Sequence, residues 1–351
     1  MVDLHECIEK LSSEHEADRI YAAEDIGYAN EASGARALLA RLPEEPSRAV
    51  REAIFGALLQ IEDESVISGA LALLDSEDSF LRNQALEVLR ARGGKTLPHL
   101  ERAFAEGNND RRKFVVDIAA KLGDPGTSVI YERALKDPDL NVVITAVESI
   151  GNARQVQFRV HLERLLSPDG HPMLLGACLE ALAQIGEPAS VETVRGRLGH
   201  LGSVPGYLQP SYLRLLGACG CPADVDEVAS MIGSEGVGTA ALNTLTSLRN
   251  RYPDLTLPER LAGPLQDVVA QSPSALLGYE AVRLLGGLLR DRAVLDFLEA
   301  CLEHTEKAVR IGAVQALREG GNGQTEAVLR QRLAHETDEE VLQAWGGKIT
   351  E

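Results

Sequence analysis

The sequence predicts an all-α fold, a right-handed α-α superhelix of about eleven helical hairpins in which residues 1–351 form one solenoid. Three observations predict it. A pattern of the form Val-Arg-x-x-Ala-x-x-Ala-Leu, clearest at residues 309–317, returns in altered forms along the whole chain. Its Arg position steps through Arg19, Arg51, Arg82, Lys113, Val143 and Leu175 at intervals of 30–32 residues, the period of a stacked supersecondary unit. Aromatic residues are only 4% of the composition, which suits thin helix pairs with close backbone approach better than one thick core.

Each unit reads as two helices with a polar break between them. In the first, Leu4, Cys7, Ile8 and Leu11 fall at i, i+3, i+4 and i+7, one apolar stripe, and Ile20, Ala23 and Ile26 carry the second helix to Gly27. The second unit pairs residues 35–42 with 48–61 across Pro43 and Pro46, and the third pairs 66–74 with 79–91. Asp75-Ser76-Glu77-Asp78 supplies that turn and the acids that favour the next helix N-terminus. Units four to six pair 97–104 with 111–122, 128–135 with 140–150, and 156–166 with 172–185. Two of them stop at Gly123-Asp124-Pro125 and Gly186-Glu187-Pro188, a C-terminal glycine followed by a proline that cannot continue the helix.

The rhythm then changes, so the array divides into regular units (1–198), divergent low-charge units (199–290) and regular units with a C-terminal cap (291–351). Residues 199–212 form the longest irregular segment. Between Gly199 and Asn250 only Arg214, Asp224, Asp226, Glu227, Glu235 and Arg249 are charged. Unit nine pairs 257–269 with 275–289, unit ten 294–302 with 307–319, and the short acidic last unit 325–333 with 339–345, as a cap with a polar outer face requires.

Formal charge is −18, with acids and bases interspersed. Phosphate backbones are repelled by such a chain, so a nucleic-acid reader is not expected, and a protein partner with a basic surface or segment is. No basic stretch leads into an apolar run at the N-terminus, and no run reaches the length of a bilayer span, so neither a signal peptide nor membrane insertion is expected. Five scattered cysteines (Cys7, Cys178, Cys219, Cys221, Cys301) point to a reducing cytoplasm over a disulfide framework.

Helix pairs with an Asp-containing turn and Val-Arg-x-x-Ala-x-x-Ala-Leu in the second helix resemble HEAT repeats, specifically the short bacterial type of phycocyanobilin-lyase-like proteins. The resemblance covers nearly all of the chain and implies a non-catalytic scaffold or adaptor, with no cofactor. Two enzyme alternatives share the repeat design. A phycobilin-lyase-like subunit fits by repeat type, although no residue marks a bilin site. Deoxyhypusine hydroxylase places di-iron ligands as His-Glu pairs directly after the Val-Arg of the second helix. The corresponding slots here hold Ile20-Tyr21, Glu52-Ala53, Asn83-Gln84, Ile144-Thr145 and Ile311-Gly312.

Two sets of residues are candidates for binding a partner. With the second helices aligned on the marker positions, Glu24, Glu87, Glu148 and Glu180 share the slot of Gln315, with Gly56 and Ile118 interrupting and Arg283 later. Second helices line the concave side of such solenoids, so this acidic row suits a basic or helical segment; read plainly, it is a set of solvated glutamates. In the low-charge section, Tyr207, Leu208 and Tyr212 offer an interface patch, or else a loop folded back over a packing defect. Cys219-Gly220-Cys221 reads as small residues at a helix end. The segments 233–239 and Gly320-Gly321-Asn322-Gly323 read as turns, the first lacking the Lys and preceding strand of a phosphate loop. The Arg series reads as structural, tying each unit to a turn acid of its neighbour.

Overall fold

The computed structural model describes residues 3–271, 274–320 and 323–346, and among these every regular element is helical. The helices fall into two compact units, Met1–Ala153 and Arg154–Glu351. The first holds five hairpins: α1 (Leu4–Lys10) with α2 (Glu16–Ala29), α3 (Ala32–Arg41) with α4 (Arg48–Gln60), α5 (Glu64–Leu73) with α6 (Ser79–Arg92), α7 (Leu97–Glu106) with α8 (Asn109–Leu122), and α9 (Ser128–Ala134) with α10 (Leu140–Asn152). The second holds six: α11 (Arg159–Leu165) with α12 (Pro172–Ile185), α13 (Ala189–Leu198) with α14 (Gln209–Cys219), α15 (Val225–Ala229) with α16 (Gly238–Arg251), α17 (Ala262–Gln271) with α18 (Ala275–Leu285), α19 (Arg292–Cys301) with α20 (Lys307–Gly320), and α21 (Gly323–Leu333) with α22 (Glu339–Trp345).

Neither helix of a hairpin buries its apolar stripe alone, and within each unit the second helices pack on the second helix of the next hairpin. In the first unit α2, α4, α6, α8 and α10 pack in succession, and in the second α12 through α22 do so in even-numbered order. First helices pack likewise at α1–α3–α5, α7–α9 and α11–α13. The core of the first unit lies between the two layers, where Ile26, Leu38, Ile54, Leu58, Leu89 and Leu100 are buried. Caps set the boundaries. Ser47, Asp78, Asn108 and Asp139 each accept a backbone N–H at the start of a second helix. Gly123 and Gly186 end α8 and α12 in the left-handed region (φ +65° and +80°), as their sequence setting predicts. At Gly27 a Cβ would lie 2.9 Å from Ala57 Cα, so this glycine lets α2 and α4 approach at backbone distance.

An ion pair repeats along the stack. Arg19, Arg51, Arg82 and Arg310 each stand fourth in their second helix. Arg19 donates to both carboxylate oxygens of Glu45 at 3.0 Å while also donating to Ser13 O in its own turn at 2.8 Å. Arg51 reaches Asp78 at 2.7 Å and Glu45 O at 2.5 Å. Arg310 reaches Glu336 at 2.8 Å and His304 O at 2.9 Å. In α8 the fourth residue is Arg112, not Lys113, and Arg112 grips Asp137 at 2.7 and 2.8 Å. The marker at Lys113 was therefore one residue out of register: Asn108 caps α8, and the exposed Lys113 points to solvent. Arg82 holds its own turn at Ser76 O and Glu77 O and has no carboxylate partner among the described residues. The turn acids also order the backbone two residues on: Glu45 accepts from Ser47 N, Asp137 from Asp139 N, and Glu336 from Asp338 N, all at 2.9 Å.

Where the fourth residue is Leu175 or Tyr212, charged pairs stand on the first-helix side instead. Arg195 of α13 donates to Asp224 at 2.7 Å and Glu227 at 3.0 Å. Buried Glu163 of α11 accepts from Arg159 at 2.6 Å and Ser190 at 3.0 Å.

Two outcomes are expected. Gly27→Ala gains helix propensity of about 1 kcal/mol but drives a methyl into the α4 backbone at a cost of about 1–3 kcal/mol, so thermal denaturation should show a net loss of stability of up to about 2 kcal/mol; a gain would mean that α2 and α4 part at no cost. For Glu45, burial opposes the charge, but the hydrogen bonds from Arg19, Ser47 and Arg41 outweigh it and hold the carboxyl below its ordinary value; Asp137 and Glu336 are lowered in the same manner. Stability from these groups is complete above the unfolded carboxylate range of about pH 4 and is lost as pH falls through the lowered folded values. Glu45→Gln should cost about 3 kcal/mol or more at neutral pH, since Arg19 is left buried without its counter-charge, and should flatten the acid limb of the stability curve. An unchanged limb would remove Glu45 from that role.

Candidate functional site

The ninth residue of each second helix points away from the first-helix layer and forms a row. In the first unit the row is Glu24, Gly56, Glu87, Asp117 and Glu148. Setting α8 on Arg112 replaces Ile118, which is buried, by Asp117, so Glu87, Asp117 and Glu148 occupy consecutive second helices. At an interhelix distance of about 8–10 Å these carboxylates act as separate charges and do not gather round one ion. Glu24 and Glu148 are exposed, and Glu87 is also exposed but accepts from Arg90 at 2.7 Å. Asp117 is half-buried; burial pushes its carboxyl above the usual range, and Lys113 and Lys121 draw it back.

Sequence reasoning missed two residues of this face. Tyr21 and Tyr28 are 65% and 74% exposed, among the most exposed large side chains of the fold. With Glu24 they stand at i, i+3 and i+7 of α2, one outward stripe, and that spacing was the signal that could have found them. Gly56 on the adjoining α4 is exposed and presents open space beside them. In the second unit Glu180 occupies the row but is half-buried and hydrogen-bonded by Arg214.

The patch expected at residues 199–212 does not form. Leu208 and Tyr212 are 2% and 0% exposed, and Tyr207 alone, at 58%, faces solvent. The segment folds into two 3-10 turns, Leu201–Ser203 and Gly206–Leu208, which pack Leu201, Val204 and Leu208 beneath it. Tyr212 stands fourth in α14, the slot of Arg310, and donates its hydroxyl to Gly199 O at 3.1 Å. Burial, then the nearby Glu227, push its phenol to about 12. Beside it, burial disfavours the Arg195 charge, but hydrogen bonds to Asp224 and Glu227 outweigh that and raise its pKa. The loop thus seals a packing step and offers one tyrosine.

Of segment 233–239, expected to be a turn, residues 233–237 form one between α15 and α16, and Gly238 and Thr239 open α16. The segment borders a cavity of about 520 Å³ lined by Ile232, Leu242, Val268, Glu235 and Asp267 among others. None of the lining residues is basic, so it does not suit a phosphate. Cys219 ends α14 and Cys221 precedes the 3-10 turn Pro222–Asp224. Gly321 and Asn322 of the last glycine-rich turn lie outside the described residues. Among the described residues no His, Cys, Asp and Glu side chains gather in threes as a metal-ligand set, and no helix is long and apolar enough to cross a membrane.

Known proteins give the fold a family. The HEAT-repeat family model matches residues 5–90, 36–121 and 263–345, together more than half of the chain. Among solved structures, a chain of the one in which Kap95p binding induces the switch loops of RanGDP to adopt the GTP-bound conformation has a TM-score of 0.60 and 14% identity, covering 97% of this chain and 56% of that one. Kap121p gives a TM-score of 0.49 and 13% identity, covering 97% and 48%. The chain spans about half the length of each. No curated protein matches it. Hairpin stacking, the recurrent turn and the matched spans agree: the chain belongs to the HEAT-repeat family.

Proposed function

We propose that this chain is a non-catalytic scaffold or adaptor whose first unit receives a basic, partly apolar segment of a partner protein along its second helices. The observation that carries the reading is the outward row itself: Glu24, Glu87, Asp117 and Glu148, with exposed Tyr21 and Tyr28 at one end and open space at Gly56. Tyrosines supply large rigid contact area at low entropic cost, and acids set at helix spacing favour Lys or Arg on an apolar stem. The net charge of −18 disfavours nucleic acid and speeds encounter with a basic protein. The structure in which Kap95p binds RanGDP supports the reading to the extent that a fold of this kind accommodates a protein partner. The 30–32 residue period keeps the short bacterial repeat type within this reading, and five free cysteines suit a reducing cytoplasm.

A labelled amphipathic Lys/Leu helix peptide, followed by fluorescence anisotropy at low and moderate salt, tests it. The wild-type chain should bind with affinity that falls as salt rises. Reversing Glu24, Glu87, Asp117 and Glu148 to Lys should weaken binding about tenfold or more and remove the salt dependence. Replacing Tyr21 and Tyr28 with Ser should weaken it while leaving the salt dependence intact. Full affinity in the charge-reversed chain at low salt would end the proposal.

A further inference from the structure

The ninth-residue row changes character along the second unit. It reads Glu180, Gly217, Thr246, Arg283 and Gln315, so by α16 and α18 the acids of the first unit have given way to a hydroxyl and a guanidinium. There a cavity of about 150 Å³ opens between the two helices, with Thr246, Arg249, Asn250, Tyr279, Glu280 and Arg283 in its wall. Two of these six polar groups are accounted for within the fold. Arg283 pairs with Glu319 at 2.9 Å, and Tyr279 donates its hydroxyl to Gln315 at 2.8 Å.

Arg249 is not. It is half-buried, yet among the described residues it makes neither a hydrogen bond nor an ion pair. Its guanidinium lies where a Cβ on Gly287 would come within 2.1 Å, so the missing side chain at the exposed Gly287 is what leaves room for it. Its N–H donors have no acceptor among the described residues, and partial burial limits the water that can serve them. Burial first, and then Arg283 beside it, disfavour the Arg249 charge, while Glu319 offsets them in part. In the same wall the Thr246 hydroxyl is shielded from solvent and has no partner, although Thr244 and Ser247 of the same helix each donate to a backbone carbonyl at 2.9 Å. A cation and a hydroxyl with unspent hydrogen-bonding capacity therefore meet in one small cavity on the exposed helical layer.

We infer that this cavity binds a carboxylate, held by Arg249 through its planar fork, with Arg283 as the second cation and Asn250 at the mouth. A carboxylate suits the charges better than a phosphate. Arg283 is already paired with Glu319, so Arg249 is the one guanidinium left to grip an anion, and the half-buried carboxylate of Glu280 in the same wall, which offsets part of the positive charge, opposes a dianion. The carboxylate comes from an acidic side chain of a bound protein or from a small free acid. Filling the site requires no basic segment on the first unit, so its failure and that of the scaffold reading are separate events.

The whole chain is titrated by calorimetry, at constant ionic strength, with acetate, N-acetylglutamate methylamide, N-acetylglutamine methylamide and inorganic phosphate. Both carboxylates should bind saturably and the uncharged glutamine analogue should not. Arg249→Gln should weaken carboxylate binding about tenfold or more, and Arg283→Gln should weaken it as well. Arg249 makes no bond within the described residues, so its variant should keep the wild-type circular dichroism; should it not, Arg283→Gln carries the test. Tighter binding of the glutamate analogue than of acetate assigns the site to a protein side chain, and equal binding assigns it to free acids, both within the proposal. An equal response to the glutamine analogue, undiminished binding in both variants, or phosphate binding tighter than either carboxylate overturns it.

Discussion

The bond between the fourth residue of one second helix and the turn acid of the next hairpin is the constraint on which the rest of the array depends. Apolar burial draws helices together and interdigitation sets their spacing. An arginine that holds its own turn by backbone carbonyls and the next turn by a carboxylate fixes two hairpins at once. Glu45 shows how tightly the demand is met. It is fully buried, accepts from Arg19, Arg41 and Ser47, and so joins a second helix, the end of a first helix and the turn after it. Removing one partner costs more than the bond is worth, because a buried charge is left behind.

That constraint also shows where the array departs from regularity. At Val143, Leu175, Tyr212, Ala241 and Gly278 the second helices have no guanidinium to offer, and beside Leu175 and Tyr212 the first helices carry Arg159–Glu163 and Arg195, which reaches Asp224 in the next turn. Tyr212 fills the vacated slot with a ring and satisfies its hydroxyl on Gly199. A sparsely charged surface and a longer connection accompany this exchange of one fastening for another.

Most of the fold was legible because each hairpin announces itself twice, by an apolar stripe and by a capped, arginine-bearing second helix. The failures are local and physical. Arg111, Arg112 and Lys113 are adjacent bases after Asn108-Asn109-Asp110, three residues able to cap, and only the bond that Asn108 accepts from Arg111 N settles the register. That single step hid Asp117 behind Ile118. Leu208 and Tyr212 looked like surface residues in a glycine- and proline-rich loop; counting from the start of α14 would have put Tyr212 in a structural slot. Tyr21 and Tyr28 went unremarked because their flanks, Ala22-Ala23 and Ile26-Gly27, drew the eye to packing. The unpaired state of Arg249 is set by what its neighbours already hold, and no spacing in the sequence reports that.

Four of the five cysteines lie inside the helical layers and Cys221 alone is exposed. Burial pushes the thiols of Cys178 and Cys301 to about 12 and that of Cys219, with a smaller opposing pull from Arg251, to about 11, which starves them of the thiolate that alkylation and peroxide require. Among the cysteines, solvent access is thereby confined to Cys221 after α14, so the native polypeptide already carries a one-position thiol handle for a dye or spin label.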